Sequence, residues 1–187
     1  MFLLREHVVI TSFDKRRLLA FLSASGISVS IYVYVQSIVG SSIDSMVPWV
    51  IVTGVGAIAL HIPIAIIERK SLQDRKFFVN VFSQYGPTWG VTCIVTSWLF
   101  ALAHFIWFLF ESHAASPVVE NGQYVLSSRG RIVGIITHTQ FQILKSLELR
   151  VFSAIMIACY LTSAVYWWFP RLTGESARDE SRSKVER

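Results

Sequence analysis

The chain has 187 residues, a net charge of +5, a hydrophobic fraction of 53% and a mean hydropathy of +0.52, too apolar for an ordinary soluble domain. The basic residues flank apolar runs and do not form a stripe of their own, which argues against nucleic acid as a partner. The two cysteines, Cys93 and Cys159, both fall inside apolar runs, so the polar loops hold no disulfide framework and no Cys/His zinc spacing.

Four stretches lack Asp, Glu, Lys and Arg: Leu18 to Ile43, Ser45 to Ile67, Phe77 to Phe110 and Val151 to Pro170. Each reaches the roughly 20 residues that a helix needs to cross the hydrocarbon core. The expected fold is an all-α membrane protein of four transmembrane helices, with a small exported β-hairpin between helices 3 and 4. Residues 1–172 form the single four-helix domain, the exported loop covers 112–150, and 173–187 form a disordered cytoplasmic tail.

The first run follows Lys15, Arg16 and Arg17 and is 26 residues long. A signal peptide's apolar region is about 7–15 residues, so this is an uncleaved first span. It carries Ser23, Ser25, Gly26, Ser28 and Ser30, then Tyr32, Tyr34 and Gln36. No charged residue accompanies that polar stripe, so it reads as a packing seam and not as the wall of a pore. A short polar connection around Ser41 to Val47 leads into the second span, which carries Thr53, Gly54, Gly56 and Ala57.

His61 lies near the end of the second span, two residues before Pro63, and His104 lies in the third. An ionisable group in a membrane is costly and is a functional hypothesis by default. Their expected depths differ by roughly 10 Å, given the helical rise. They are therefore read as two separate neutral imidazoles, each bonded to a backbone carbonyl or a hydroxyl of another span. Between spans two and three, Glu68 to Pro87 is a linker, with an interfacial stretch at Phe77, Phe78, Val79, Val81 and Phe82.

The loop from Ser112 to Arg150 is the most structured polar part. Asn121-Gly122 is a turn signal, Gln123 to Leu126 reads as a strand, Ser127 to Gly130 as a second turn, and Arg131 to Ile136 as a second strand. Thr137 stands three residues before Gln140, the spacing of a capping box. Phe141, Leu144, Leu147 and Val151 then recur at helical spacing. One helix is thus expected from about residue 138 through the membrane, with Ala154, Ala158 and Thr162 as its packing face. The hairpin is the candidate partner surface, at Tyr124, Arg129, Arg131 and Ile132.

With both termini placed in the cytoplasm, thirteen of the seventeen basic residues fall on that side. Only Arg129, Arg131, Lys145 and Arg150 are exported, a strong positive-inside bias. Tyr85, Trp89, Tyr166, Trp167 and Trp168 cluster at the cytoplasmic ends, and Trp49 and Trp107 at the exported ends, as half-wet aromatic belts. The expected location is a bacterial inner membrane, crossed several times.

No HExxH, GxSxG, P-loop or dinucleotide fingerprint occurs. Glu111, His113, Glu120 and His138 read as a solvated loop, so no catalytic, cofactor or metal site is expected and the chain is not read as an enzyme. The segment Glu120-Asn-Gly-Gln-Tyr-Val-Leu-Ser-Ser-Arg-Gly-Arg-Ile-Val, followed by Thr137, Phe141 and Leu149-Arg150-Val151-Phe152-Ser153, resembles a pattern of small uncharacterised bacterial four-span inner-membrane proteins. In that pattern a Gly-Gln-Tyr-Val-Leu hairpin precedes a Leu-Arg-x-Phe-Ser entry into the last span. Those proteins usually continue with Gly-His-Trp, where this chain has Ala154-Ile155-Met156. The resemblance implies architecture and location, not activity.

In layout alone the chain also resembles immunity proteins against pore-forming colicins, with no shared motif. The leading expectation is a non-enzymatic protein-interaction, immunity or assembly factor. Its partners would be the lipid bilayer and another membrane protein or a pore-forming toxin. The alternative is a small transporter or channel using His61 and His104.

Overall fold

The computed structural model describes residues 3–40, 43–67 and 88–169. In chain order these form α1 (Leu3–Val39), α2 (Ile43–Ile67), α3 (Thr88–Ser112), β1 (Ser116–Glu120), β2 (Gln123–Ser128), β3 (Arg131–Ile135) and α4 (His138–Trp168). Among the described residues, all four helices are long and apolar enough to cross a membrane. By helix composition this is a multi-pass membrane protein. The expected linker stretch at Phe77 to Phe82 and the tail from 173 to 187 lie outside the described residues.

The last helix is the centre of the structure. α1, α2 and α3 all pack on α4, whose most extensive contact is with α1. Half of the apolar window of α4 is buried, against 6% for α3, whose remaining surface is left for lipid. The reason lies in side-chain size. In lipid there is little hydrophobic gain from pairing helices, so close approach of small residues does the work. On α4 the buried positions include Ser153, Ala154, Ala158, Thr162 and Ser163. On α1 they are Ser23, Ser30, Val33 and Ser37, with Gly26 between them. That is an alternating spacing of three and four residues, the seam of a left-handed helix pair.

The hydroxyls of this seam do not need water. Ser23 donates to the Leu19 carbonyl at 2.8 Å, Ser30 to Gly26 at 2.8 Å and Ser37 to Tyr34 at 2.6 Å. Ser25 and Ser28, on the exposed face, bond back to Phe21 and Ala24 in the same way. The serines of the stripe are therefore satisfied by their own helix, and Ser23, Ser30 and Ser37 lie in the packing seam.

Tyr160 of α4 fastens three helices together. Its ring lies against Gly26 of α1, where a β-carbon would fall onto the ring atoms. Its hydroxyl lies against Gly56 of α2 and donates to the Thr53 carbonyl at 2.8 Å. Ala57 and Leu60 complete this buried cluster. Closer to the sheet, Gly54 makes room for Phe152, whose ring would stand 3.2 Å from an added β-carbon. α3 packs along the other side of α4, with the indole N–H of Trp98 donating to Thr162 at 3.3 Å.

At the end remote from the sheet, Ala20, Val165, Tyr166 and Trp167 form a second core. Tyr166 and Trp167 are thus buried, and of the four consecutive aromatics from Tyr166 to Phe169 only Trp168 is exposed, edge-on to Phe21. The two were expected in an aromatic belt. They turn inward because α1 and α3 extend far enough to cover them.

The sheet between α3 and α4 is antiparallel with strand order β1-β2-β3. The expected hairpin is β2–β3, and β1 adds a third strand, pairing Ser116 with Ser127 and Glu120 with Gln123. Both turns have two residues with positive φ: Asn121 at 51° with Gly122 at 76°, and Arg129 at 51° with Gly130 at 75°. These are the mirror-image turns whose twist matches paired strands. A bulge falls between Leu126 and Ser127, where Ile132 and Gly134 are the successive partners and Val133 is the extra residue.

α4 begins with the expected capping box. Gln140 N–H donates to the Thr137 hydroxyl at 3.2 Å, and Thr137 N–H to the Gln140 side chain at 2.9 Å. The 31 residues of α4 measure roughly 46 Å. About 15 Å therefore extends past a 30 Å hydrocarbon core and carries the sheet.

Candidate functional site

Both β1 and β2 pack on the projecting base of α4, β2 through an aromatic residue. Tyr124 of β2 lies 5.0 Å from the His138 ring and 4.9 Å from that of Phe141. Beside this contact a groove of about 540 Å³ opens between the sheet, α4 and the first turns of α2. That volume is in the range of ligand pockets.

Its apolar wall comes from Val47 and Val50 of α2, Val119 of β1, and Phe141, Leu149 and Phe152 of α4. Its polar wall is one face of α4: His138, Gln142, Lys145 and Glu148. These recur every three or four residues, so helical geometry aligns them. Lys145 donates to Glu148 at 2.6 Å, and the Gln142 amide lies 3.2 Å from the His138 ring. The groove thus offers a neutralised charge pair beside an apolar trough, a suitable bed for an amphipathic partner.

The four residues expected to form the partner surface do not share one face. Tyr124 is half-buried and turned onto α4, where it lines the groove. Arg129, Arg131 and Ile132 are exposed, around the β2–β3 turn. The sequence reading missed Gln142, Lys145 and Glu148. The signal was present in their helical register with His138, within a helix already expected to project from the membrane.

His61 and His104 sit at separate places in the bundle. His104 Nδ1 is 3.0 Å from the Phe100 carbonyl, which can only accept, so Nδ1 carries the proton. Nε2 is then the acceptor for the Tyr34 hydroxyl of α1 at 2.9 Å. The Phe100 ring packs on the imidazole at 4.3 Å. The same logic puts a proton on His61 Nδ1, 2.9 Å from the Ala57 carbonyl. The buried Ser163 hydroxyl of α4 lies beside the ring, 3.3 Å from His61 Nδ1 and 3.5 Å from Nε2. Each imidazole is therefore a cross-brace between a carbonyl of its own helix and a hydroxyl on another. Tyr34 was legible as polar, but its pairing with His104 was not foreseen, although both lie near the sheet ends of their helices.

These bonds predict modest effects. Tyr34→Phe removes one hydrogen bond and is expected to cost about 1 kcal/mol. His104→Gln keeps a donor and an acceptor and is expected to cost no more than that. Unfolding titrations in mixed micelles would measure both. Losses several times larger would mean that the pair holds α3 in place by more than a hydrogen bond.

Among the described residues, no three His, Cys, Asp or Glu side chains gather where they could share a metal ion. No family model, no curated protein and no solved structure matches this chain.

Proposed function

We propose that this chain is a non-enzymatic interaction protein of a membrane, and that its groove receives a segment of another membrane protein. The observation that carries this reading is the groove itself, a trough of about 540 Å³ shared by the sheet, the α4 base and α2. Its walls reach from the projecting base of α4 down to the first turns of α2, so a partner that emerges from the bilayer can occupy it along its length. Immunity toward a membrane-inserted toxin and assembly of a membrane complex are both versions of this role.

The location we infer is a bacterial inner membrane, with both termini cytoplasmic and the sheet exported. The distribution of basic residues supports the orientation, and the resemblance of the loop to four-span bacterial proteins supports the compartment. A transport role for His61 and His104 is disfavoured, because each ring nitrogen already faces a partner on the protein.

The test is a photoreactive phenylalanine analogue at Gln142, in full-length protein in native membranes. It is expected to yield one discrete crosslinked protein, lost when Phe141 becomes aspartate. The same probe at the lipid-facing Leu99 should yield none. Equal crosslinking from both positions, or lipid adducts alone from Gln142, would reject the groove as a protein-binding site.

A further inference from the structure

The β2–β3 turn points back toward the bilayer, and we propose that it is a membrane-surface anchor that binds anionic lipid headgroups. This goes beyond the groove reading and does not depend on it. It depends only on the helices crossing a membrane.

The level of the turn follows from two lengths. Arg150 donates to the Ser37 carbonyl at 3.2 Å, which sets Arg150 beside the last turn of α1. His138, at the outer end of α4, stands twelve residues earlier, so it lies about 18 Å further out. Tyr124 packs on His138 and Phe141 and shares that outer level. From Tyr124, β2 runs five residues to Arg129, about 16 Å at the rise of a strand.

The chain direction fixes which way that distance is taken. β1 leaves the end of α3 through a tight turn, with Ala114 N–H donating to Leu109 and Ala115 N–H to Ser112. Its first residue, Ser116, pairs with Ser127. The end of β2 is therefore beside the end of α3, and the Arg129-Gly130 turn returns to the level where the helices leave the hydrocarbon. Trp107, exposed one turn before the end of α3, marks the same layer.

The side chains at that level suit a charged lipid surface. The side chains of Arg129 and Arg131 are exposed and make no hydrogen bond or ion pair among the described residues. Next to them Ile132 and Val133 are 53% and 60% exposed. The bulge at Val133 bends this edge strand locally. The two guanidiniums stand at the turn itself, where phosphate oxygens lie, and Ile132 and Val133 follow on the strand just outward of them. Arginine suits the phosphate because its fork donates two parallel hydrogen bonds.

The experiment uses the full chain with Cys93→Ser and Cys159→Ala, a bimane label on Ile132→Cys, and a separate label on Glu120→Cys at the outer turn. The protein is reconstituted into phosphatidylcholine, or an equal mixture of phosphatidylcholine and phosphatidylglycerol, each doped with headgroup-spin-labelled lipid. The label at 132 is expected to be quenched, more so in the anionic mixture, and the label at 120 to be quenched in neither. Two arginines favour an anionic surface by about thirty-fold in population, and Arg129→Gln with Arg131→Gln should remove the increment due to phosphatidylglycerol. Equal quenching at 120 and 132, or an increment that survives the double substitution, would overturn the proposal. So would protection of position 132 that depends on protein concentration and not on lipid, which would show an edge-to-edge pairing of two copies instead.

Discussion

Gly26→Val is expected to be among the most damaging single changes in this chain, with a loss of about 3 kcal/mol or more from overpacking. The site has no slack. A β-carbon at residue 26 would overlap the Tyr160 ring, and that ring is itself fixed by the bond from its hydroxyl to Thr53. Relief requires either that α1 move off α4 or that Tyr160 leave its rotamer and give up the bond. Unfolding by denaturing detergent in mixed micelles would measure the loss. The decisive measurement is the pair Gly26→Val with Tyr160→Ala. The two losses should be strongly non-additive, because the clash vanishes when the ring does. Additive losses would mean that α1 and α4 are not held at this contact.

Tyr124→Ala should release the sheet while leaving the helices in place. A three-stranded sheet of five- and six-residue strands has little stability of its own. The removed ring contacts His138 and Phe141, a loss of about 2 kcal/mol for a half-buried aromatic. Amides of β2 and β3 are then expected to exchange with solvent about thirty times faster, while those of α4 from Ser153 to Ser163 keep their protection. Unchanged exchange in the sheet would show that its own buried residues, Ala115, Pro117 and Val125, suffice to hold it.

Much of the architecture was legible because it rests on local rules. Apolar length marked the spans, Asn121-Gly122 and Gly130 marked turns, and Thr137 with Gln140 marked the start of α4. β1 was not read as a strand because Pro117 interrupts it and only Val118 and Val119 show apolar character. The structure places β1 at an edge, where a proline is tolerated. The packing partners were not legible. Hydropathy says that a helix enters lipid but not which neighbour it meets. Tyr160 stands between Cys159 and Leu161 like any aromatic in a span, and its role exists only because Gly26 and Gly56 are on other helices. The groove needed three elements distant in sequence and could not be assembled from any one of them.

The position of α4 at the centre has a consequence for biosynthesis. The helix on which the other three pack is the last to be made. Until it emerges, the small-residue seam of α1 at Ser23, Gly26, Ser30 and Ser37 has no ring or helix to fit against. α3, which packs chiefly on α4, has little to hold it beside α1 and α2. Until then α1 and α2 have their own smaller contact, and most of the packing of α1 and α3 is still to come. Assembly is therefore completed late, and a chain stopped before residue 138 would present membrane proteases with α1 and α2 loosely paired and α3 without its main partner.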